Sequence, residues 1–328
     1  MSLYRTSRSF GAVALIAATA VLGACGGGGG SASSNASSNV LKLSTAVQSE
    51  PVAKYAGAVG ILSGPGVATI YTSVVQSLLT GVTSDAANST KVCPTSGSIS
   101  IAAQSAGSAG LQSGESATVG FNQCVGQVSA PGVSASAAIT GSVTVQVQSA
   151  QGKVGSTTAD WSYTAVETAN AVTLTSSNGT TVLNGTVTFT MSYDATTGTT
   201  TTTASAPTVT LAVTKAAASG NVTGTITVSS LAYSRVHGTD PTSDTVSTSA
   251  SINVQASDAV IAFDVTTPTP VVVSDGNLEA GEIQLTSDNA VETITPAGAT
   301  SVAISVSANG QVGSYTEAVD SLKAVIGT

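Results

Sequence analysis

One histidine in 328 residues narrows the acid–base chemistry open to this chain. His237 stands in His237-Gly238-Thr239-Asp240-Pro241, where Gly and Pro mark a turn. A serine hydrolase needs a nucleophile, a base and a group that orients the base. No Gly-x-Ser-x-Gly elbow accompanies His237, so its loop reads as structural and a hydrolase ranks third among the functions considered. The run Asp275-Gly276-Asn277-Leu278-Glu279-Ala280-Gly281-Glu282 spaces carboxylate and amide oxygens as a calcium loop does. It lacks the Asp at the third and fifth positions and the distal bidentate Glu of an EF-hand. Asp275, Asn277, Glu279 and Glu282 therefore stand as a calcium candidate beside the plainer reading, an acidic turn between strands. One histidine and no free thiol leave too few ligands for zinc. Trp161, in Asp160-Trp161-Ser162-Tyr163, reads as a core or sheet-face aromatic rather than a sugar platform. No Gly-rich loop leads into Lys-Ser/Thr at the start of a helix, so no nucleotide site is expected.

The three cysteines carry more. Residues 1–24 follow the plan of an export signal: Arg5 and Arg8 form a basic start, and Phe10 to Leu22 give an apolar run of 13 residues. A membrane-spanning helix needs roughly 20. The run ends in Leu22-Gly23-Ala24-Cys25, which resembles the lipobox of bacterial lipoproteins. That resemblance implies cleavage before Cys25 and a diacylglycerol and N-acyl anchor, palmitate-like in kind, on the same residue. Gly26 after it, rather than Asp, implies the outer membrane of the cell envelope. No other cofactor is expected. Residues 25–39 are almost wholly Gly, Ser, Ala and Asn after the cysteine, a flexible tether reaching about 20 Å.

Cys93 and Cys124 bracket a hairpin in which Ser98–Ala103 runs out and Ser116–Phe121 returns. Symmetric pairing sets the two cysteines opposite each other at its open end, and an oxidising compartment favours the disulfide. Cys93, Gly97, Gly114-Glu115-Ser116-Ala117-Thr118, Phe121-Asn122-Gln123-Cys124 and Thr140-Gly141-Ser142 resemble a group of proteobacterial lipoproteins of unknown function. The likeness covers about 50 residues. It implies an envelope lipoprotein with a β-rich fold, and it brings no catalytic residues.

Two periodicities organise the elements that hold these residues. In the segment 40–90, Val67, Ile70, Tyr71, Val74, Val75, Leu78, Leu79 and Val82 recur at helical spacing, between Gly64-Pro65-Gly66 and Gly81. This predicts an amphipathic helix over 66–82, with a weaker turn at 50–60, packed on the protein's own sheet. From residue 91 to 328 the period is two, as in Val143, Val145, Val147 and in Val187, Phe189, Met191, Tyr193. That alternation predicts antiparallel strands with one buried and one wet face. Thr140-Gly141-Ser142, Asn184-Gly185-Thr186 and Thr223-Gly224-Thr225 open three of them alike, either as duplicated hairpins or as similar strands of one meander. The expected fold is mainly β: a curved antiparallel meander of ten to twelve strands, open or barrel-like, with the helix on its apolar face.

Composition fits that fold and limits its partners. Only 8% of residues are charged and the net charge is −8. From Asp240 to Asp320 there are eleven acidic residues and no Lys or Arg, a surface that repels phosphate backbones and excludes nucleic acid. The reading is a non-enzymatic envelope lipoprotein, a structural or interaction module whose partners are the membrane, through its anchor, and an envelope protein or lipid. The alternative is a lipid or lipoprotein carrier with an acyl-binding concave sheet. A carrier needs an unfilled apolar cavity between helix and sheet, whereas a structural module packs it.

Overall fold

A strand that ends in a tight turn pairs with the strand just made. In the computed structural model each strand pairs with the one before it, thirteen times over, across short turns and longer loops alike. The structure describes residues 88–318 except 104–111, 128–135, 178, 216–221, 241–242, 257–259, 275–276, 289, 299 and 309, together with two upstream positions, Gly57 and Tyr71. The strands are β1 (Asn88–Val92), β2 (Ser96–Ala103), β3 (Ser116–Val125), β4 (Ala138–Gln151), β5 (Trp161–Ser176), β6 (Gly179–Asp194) and β7 (Thr199–Lys215). Then follow β8 (Val222–His237), β9 (Ser243–Ala256), β10 (Val260–Ser274), β11 (Asn277–Ser287), β12 (Ala290–Gly298), β13 (Ser301–Ala308) and β14 (Gln311–Ala318). Each pairs antiparallel with its sequence neighbours, in the order β1 to β14, so the sheet is one open meander with edges at β1 and β14.

The mainly β meander is as expected, and of the open and barrel-like forms it takes the open one, but the described residues form fourteen strands rather than ten to twelve. One of its turns carries no glycine signal in the sequence. Between β11 and β12 no glycine serves; Asp288 itself takes φ +40°, a left-handed conformation that Asp tolerates better than most residues.

Strands β5 to β8 hold 16 or 17 residues, an extended length of about 50–55 Å. Strict alternation does not run their whole length. On β5 the buried positions are odd through Trp161, Tyr163, Ala165, Glu167 and Ala169, then even at Val172 and Leu174. The extra residue is Ala171, at φ +49°, and the register against β6 slips there. Ser230 does the same on β8, at φ +52°. Such bulges bend a strand and raise its twist while keeping the apolar set on one side. The bulged Ala171 N–H donates to Asn184 Oδ1 at 2.9 Å.

These bulges account for two of the three matching strand openings. Gly141, at φ +96°, lies where a Cβ would come within 2.5 Å of Ala171 O. Gly185 would bring a Cβ to 3.0 Å from Val209 Cα, where β6 and β7 slip register. Each glycine answers a close approach at a bulge, which favours similar strands over duplicated hairpins.

The apolar residues of β2 to β13 form one continuous buried face. Val119, Val145, Phe189, Leu183, Val209, Val228, Val302 and Val306 are fully enclosed on it. The opposite face carries Ser and Thr, some bonded across strands, as in Thr164–Thr190 at 3.2 Å and Thr168–Thr186 at 3.1 Å. Of the expected helix over 66–82, only Tyr71 lies among the described residues. Its backbone is helical and its side chain is enclosed on the apolar face; the helix as an element falls outside the described residues. The signal and Cys25, the tether, and Val67, Ile70, Val74 and Leu78 also fall outside.

Candidate functional site

Direct cross-strand partners share a face, so the register reads out the inner surface row by row. At one end the row runs Trp161, Tyr193, Thr200, His237, Asp244 across β5 to β9. The next row inward holds Tyr163, Met191, Thr202, Arg235 and Val246. The face thus changes from apolar depth to a polar, aromatic rim.

At the rim Trp161 and Tyr193 stack, with ring centroids 6.2 Å apart and planes inclined by 17°. The turn after β4 holds both: Trp161 Nε1 donates to Ser156 O at 3.0 Å and the Tyr193 hydroxyl to Thr157 O at 3.2 Å. Trp161 is therefore a sheet-face aromatic, 7% exposed. Asp244 takes Arg235 Nη2 on one oxygen and His237 Nδ1 on the other, each at 2.9 Å. His237 ends a strand and faces Asp244 across the hairpin, rather than pairing with Asp240 within its own turn. Thr200 stands directly opposite His237, but its hydroxyl is not hydrogen-bonded to the imidazole, so the three do not form a nucleophile–base pair. The sequence reading missed Arg235 and Asp244. Period-two spacing of Arg235 and His237 on β8 was the available signal.

Deeper on the same face are two carboxyl groups that sequence reasoning also missed. Glu167 lies between Val145 of β4 and Val187 of β6, with Ala165 and Ala169 before and after it on the face. Glu292 lies between Leu285 of β11 and Val306 of β13. Both are fully enclosed, and among the described residues none of their oxygens has a hydrogen-bond partner; the Tyr163 hydroxyl and Thr248 Oγ1 share that condition. Burial holds both carboxyls well above the usual carboxylate range. Burial, and then the field of Glu167, raises the phenols of Tyr71 and Tyr163. The signal was available in the alternation, since Glu167 occupies an apolar-phase position of β5 and Glu292 of β12.

Both upstream positions rest against these groups. The Tyr71 hydroxyl donates to Gly185 O at 2.9 Å, beside Glu167. Gly57 is so close to Glu292 that a Cβ there would come within 2.7 Å of Oε1 and 3.0 Å of Ile294 Cδ1.

A depression of about 330 Å³ opens at the end of β5–β7, lined by Ser162, Ser192, Thr201, Asp160 and Asp194 among others. Ser162, Ser192 and Thr201 belong to the outer face, opposite to the Trp161 and Tyr193 rings. Its carboxylates serve the adjoining turn: Asp160 Oδ1 accepts from Ala195 N, and Asp194 Oδ1 from Thr196 N, both at 2.8 Å. The Thr196 amide, with Thr197, holds Asp194 below the usual carboxylate range.

Of the calcium candidates, Asp275 lies outside the described residues. Asn277, Glu279 and Glu282 fall within strand β11, with Gly281 at φ +99° between the two glutamates. Among the described residues no three His, Cys, Asp or Glu side chains gather as metal ligands. Cys93 and Cys124 are joined as a disulfide, Cα to Cα 5.5 Å, closing the β2–β3 hairpin at the end predicted. Comparison with family models, curated proteins and solved structures finds no match to this chain.

Proposed function

We propose that the chain is an exported lipoprotein, tied by Cys25 to the outer membrane, whose β domain is a non-catalytic structural or interaction module. The observation that carries this is the order of basic start, 13-residue apolar run and Leu22-Gly23-Ala24-Cys25, followed by a Gly/Ser tether. The sheet supports a domain that stands in water beside the membrane. Its aliphatic residues face inward and its Ser and Thr outward, the reverse of a strand that faces lipid. The disulfide is consistent with an oxidising compartment. Tyr71 and Gly57 occupy parts of the apolar face where an acyl chain would lie, which favours a packed module over a carrier.

Replacing Cys25 with Ala and fractionating the cells tests the anchor. The variant should leave the membrane fraction or stay as an uncleaved precursor; normal processing with outer-membrane recovery would refute the reading. Native mass spectrometry of the purified protein separates module from carrier, since only a carrier retains a non-covalent lipid.

A further inference from the structure

We infer that the seating of Gly57 and Tyr71 on the inner face is proton-linked: firm while Glu167 and Glu292 hold their protons, loosened when these two carboxyls ionise. The geometry is the reason. Among the described residues four buried side chains of the sheet are polar, Glu167, Thr202, Thr248 and Glu292; Gly57 lies against Glu292, and Tyr71 is bonded to Gly185 O, opposite Ala169 and within the field of Glu167.

Among the described residues, no group on the neighbouring strands can balance a charge at either site. Around Glu167, β4 presents Val145, β6 presents Val187, and the titratable groups are the phenols of Tyr163 and Tyr71. Around Glu292, β11 presents Leu285, β13 presents Val306, and Gly57 covers the carboxyl. Among the described residues, the phenol of Tyr315 on β14 stands one row away, opposite Ile304. No cation faces either carboxyl among the described residues. An ionised carboxylate without partner or water is among the most costly groups to bury. The acid must then keep its proton or reach solvent. Reaching solvent requires the packing over the acid to open, and Tyr71 and Gly57 are part of that packing.

The direction follows from linkage. Unfolded glutamate releases its proton near pH 4.3, while both folded carboxyls hold theirs to a higher pH. Between those limits the folded state binds more protons, so stability is greatest on the acid side and falls as pH rises. Salt-bridged carboxylates behave in the opposite way.

The test uses the full-length chain from pH 5 to pH 8, by urea unfolding and by hydrogen exchange corrected for intrinsic rates. The unfolding constant should rise with pH, by up to about tenfold per pH unit for each carboxyl that is protonated in the folded chain and ionised in the unfolded one. Exchange protection around residues 57 and 71 should fall over the same range, while that of β7 and β8 falls less. The pair Glu167→Gln and Glu292→Gln should flatten both trends. Tyr71→Phe, which keeps the ring and loses the bond to Gly185, should retain them. Unchanged or rising protection at 57 and 71 in the wild-type protein overturns the proposal, whether or not the double variant folds. A slope that survives in a folded double variant also overturns it.

Discussion

Asp244 and Glu167 are carboxylic acids on the same face of the same sheet, and their surroundings give them opposite roles. Asp244 stands in the rim row, where Arg235 and His237 each supply a donor at 2.9 Å and solvent reaches all three. Glu167 lies six residues along β5 from the rim tryptophan, about 20 Å deeper, with valines on both sides and no donor. The rim acid is a solvated link in a hairpin; the deep acid is an uncompensated group in a core. Position along a strand, rather than residue type, separates them.

The largest expected effect tests the depth of the core itself. Phe189, fully buried opposite Ala165 and one row from Glu167, should cost about 3–5 kcal/mol as Phe189→Ala in urea denaturation. Its outward neighbour Thr190, bonded only to Thr164, should tolerate Ala with less than about 1 kcal/mol lost. Comparable losses at both would erase the distinction between faces.

Next is Cys93→Ala, at the open end of the β2–β3 hairpin. It should remove about 2–4 kcal/mol under oxidising conditions and lower the thermal midpoint accordingly. Reductant should reproduce that loss in the wild-type protein and leave the variant unchanged.

Glu167→Leu sharpens the contrast by sign. It should stabilise by roughly 1–3 kcal/mol at pH 8 and by less at pH 5, because an apolar side chain replaces a buried group without a partner. A destabilisation at pH 8 would mean that the carboxyl has a compensating contact.

Smallest is Asp244→Asn. The pair with Arg235 is about one-quarter to one-third exposed on each side, and its loss should change stability by less than about 1 kcal/mol. A loss as large as that at Phe189 would make the rim part of the core.

Much of this was legible in the residues. The alternation of Val187, Phe189 and Val143, Val145, Val147 names the buried face because successive side chains on a strand point to opposite sides. The pairing of Cys93 with Cys124 could be read from the symmetry of one hairpin, a local arrangement. The turn at Asp288 could not, since the residue adopts its left-handed conformation without the glycine that usually signals one. Asp244 was illegible as the partner of His237 because a cross-strand bond depends on register, which the six intervening residues do not spell out.

By itself, then, the sequence determined the class of fold, the buried face of strands such as β4 and β6, and the hairpin disulfide; the lipid anchor is its expectation. All rest on local pattern or on a contiguous motif. The tertiary structure decided the rest: that the meander stays open across fourteen strands, and that bulges at Ala171 and Ser230 keep one face apolar when the alternation slips. It alone brought Tyr71 beside Glu167 and Gly57 beside Glu292, contacts across 96 and 235 residues of chain. No local signal encodes such a meeting, because it exists only after the whole sheet has formed.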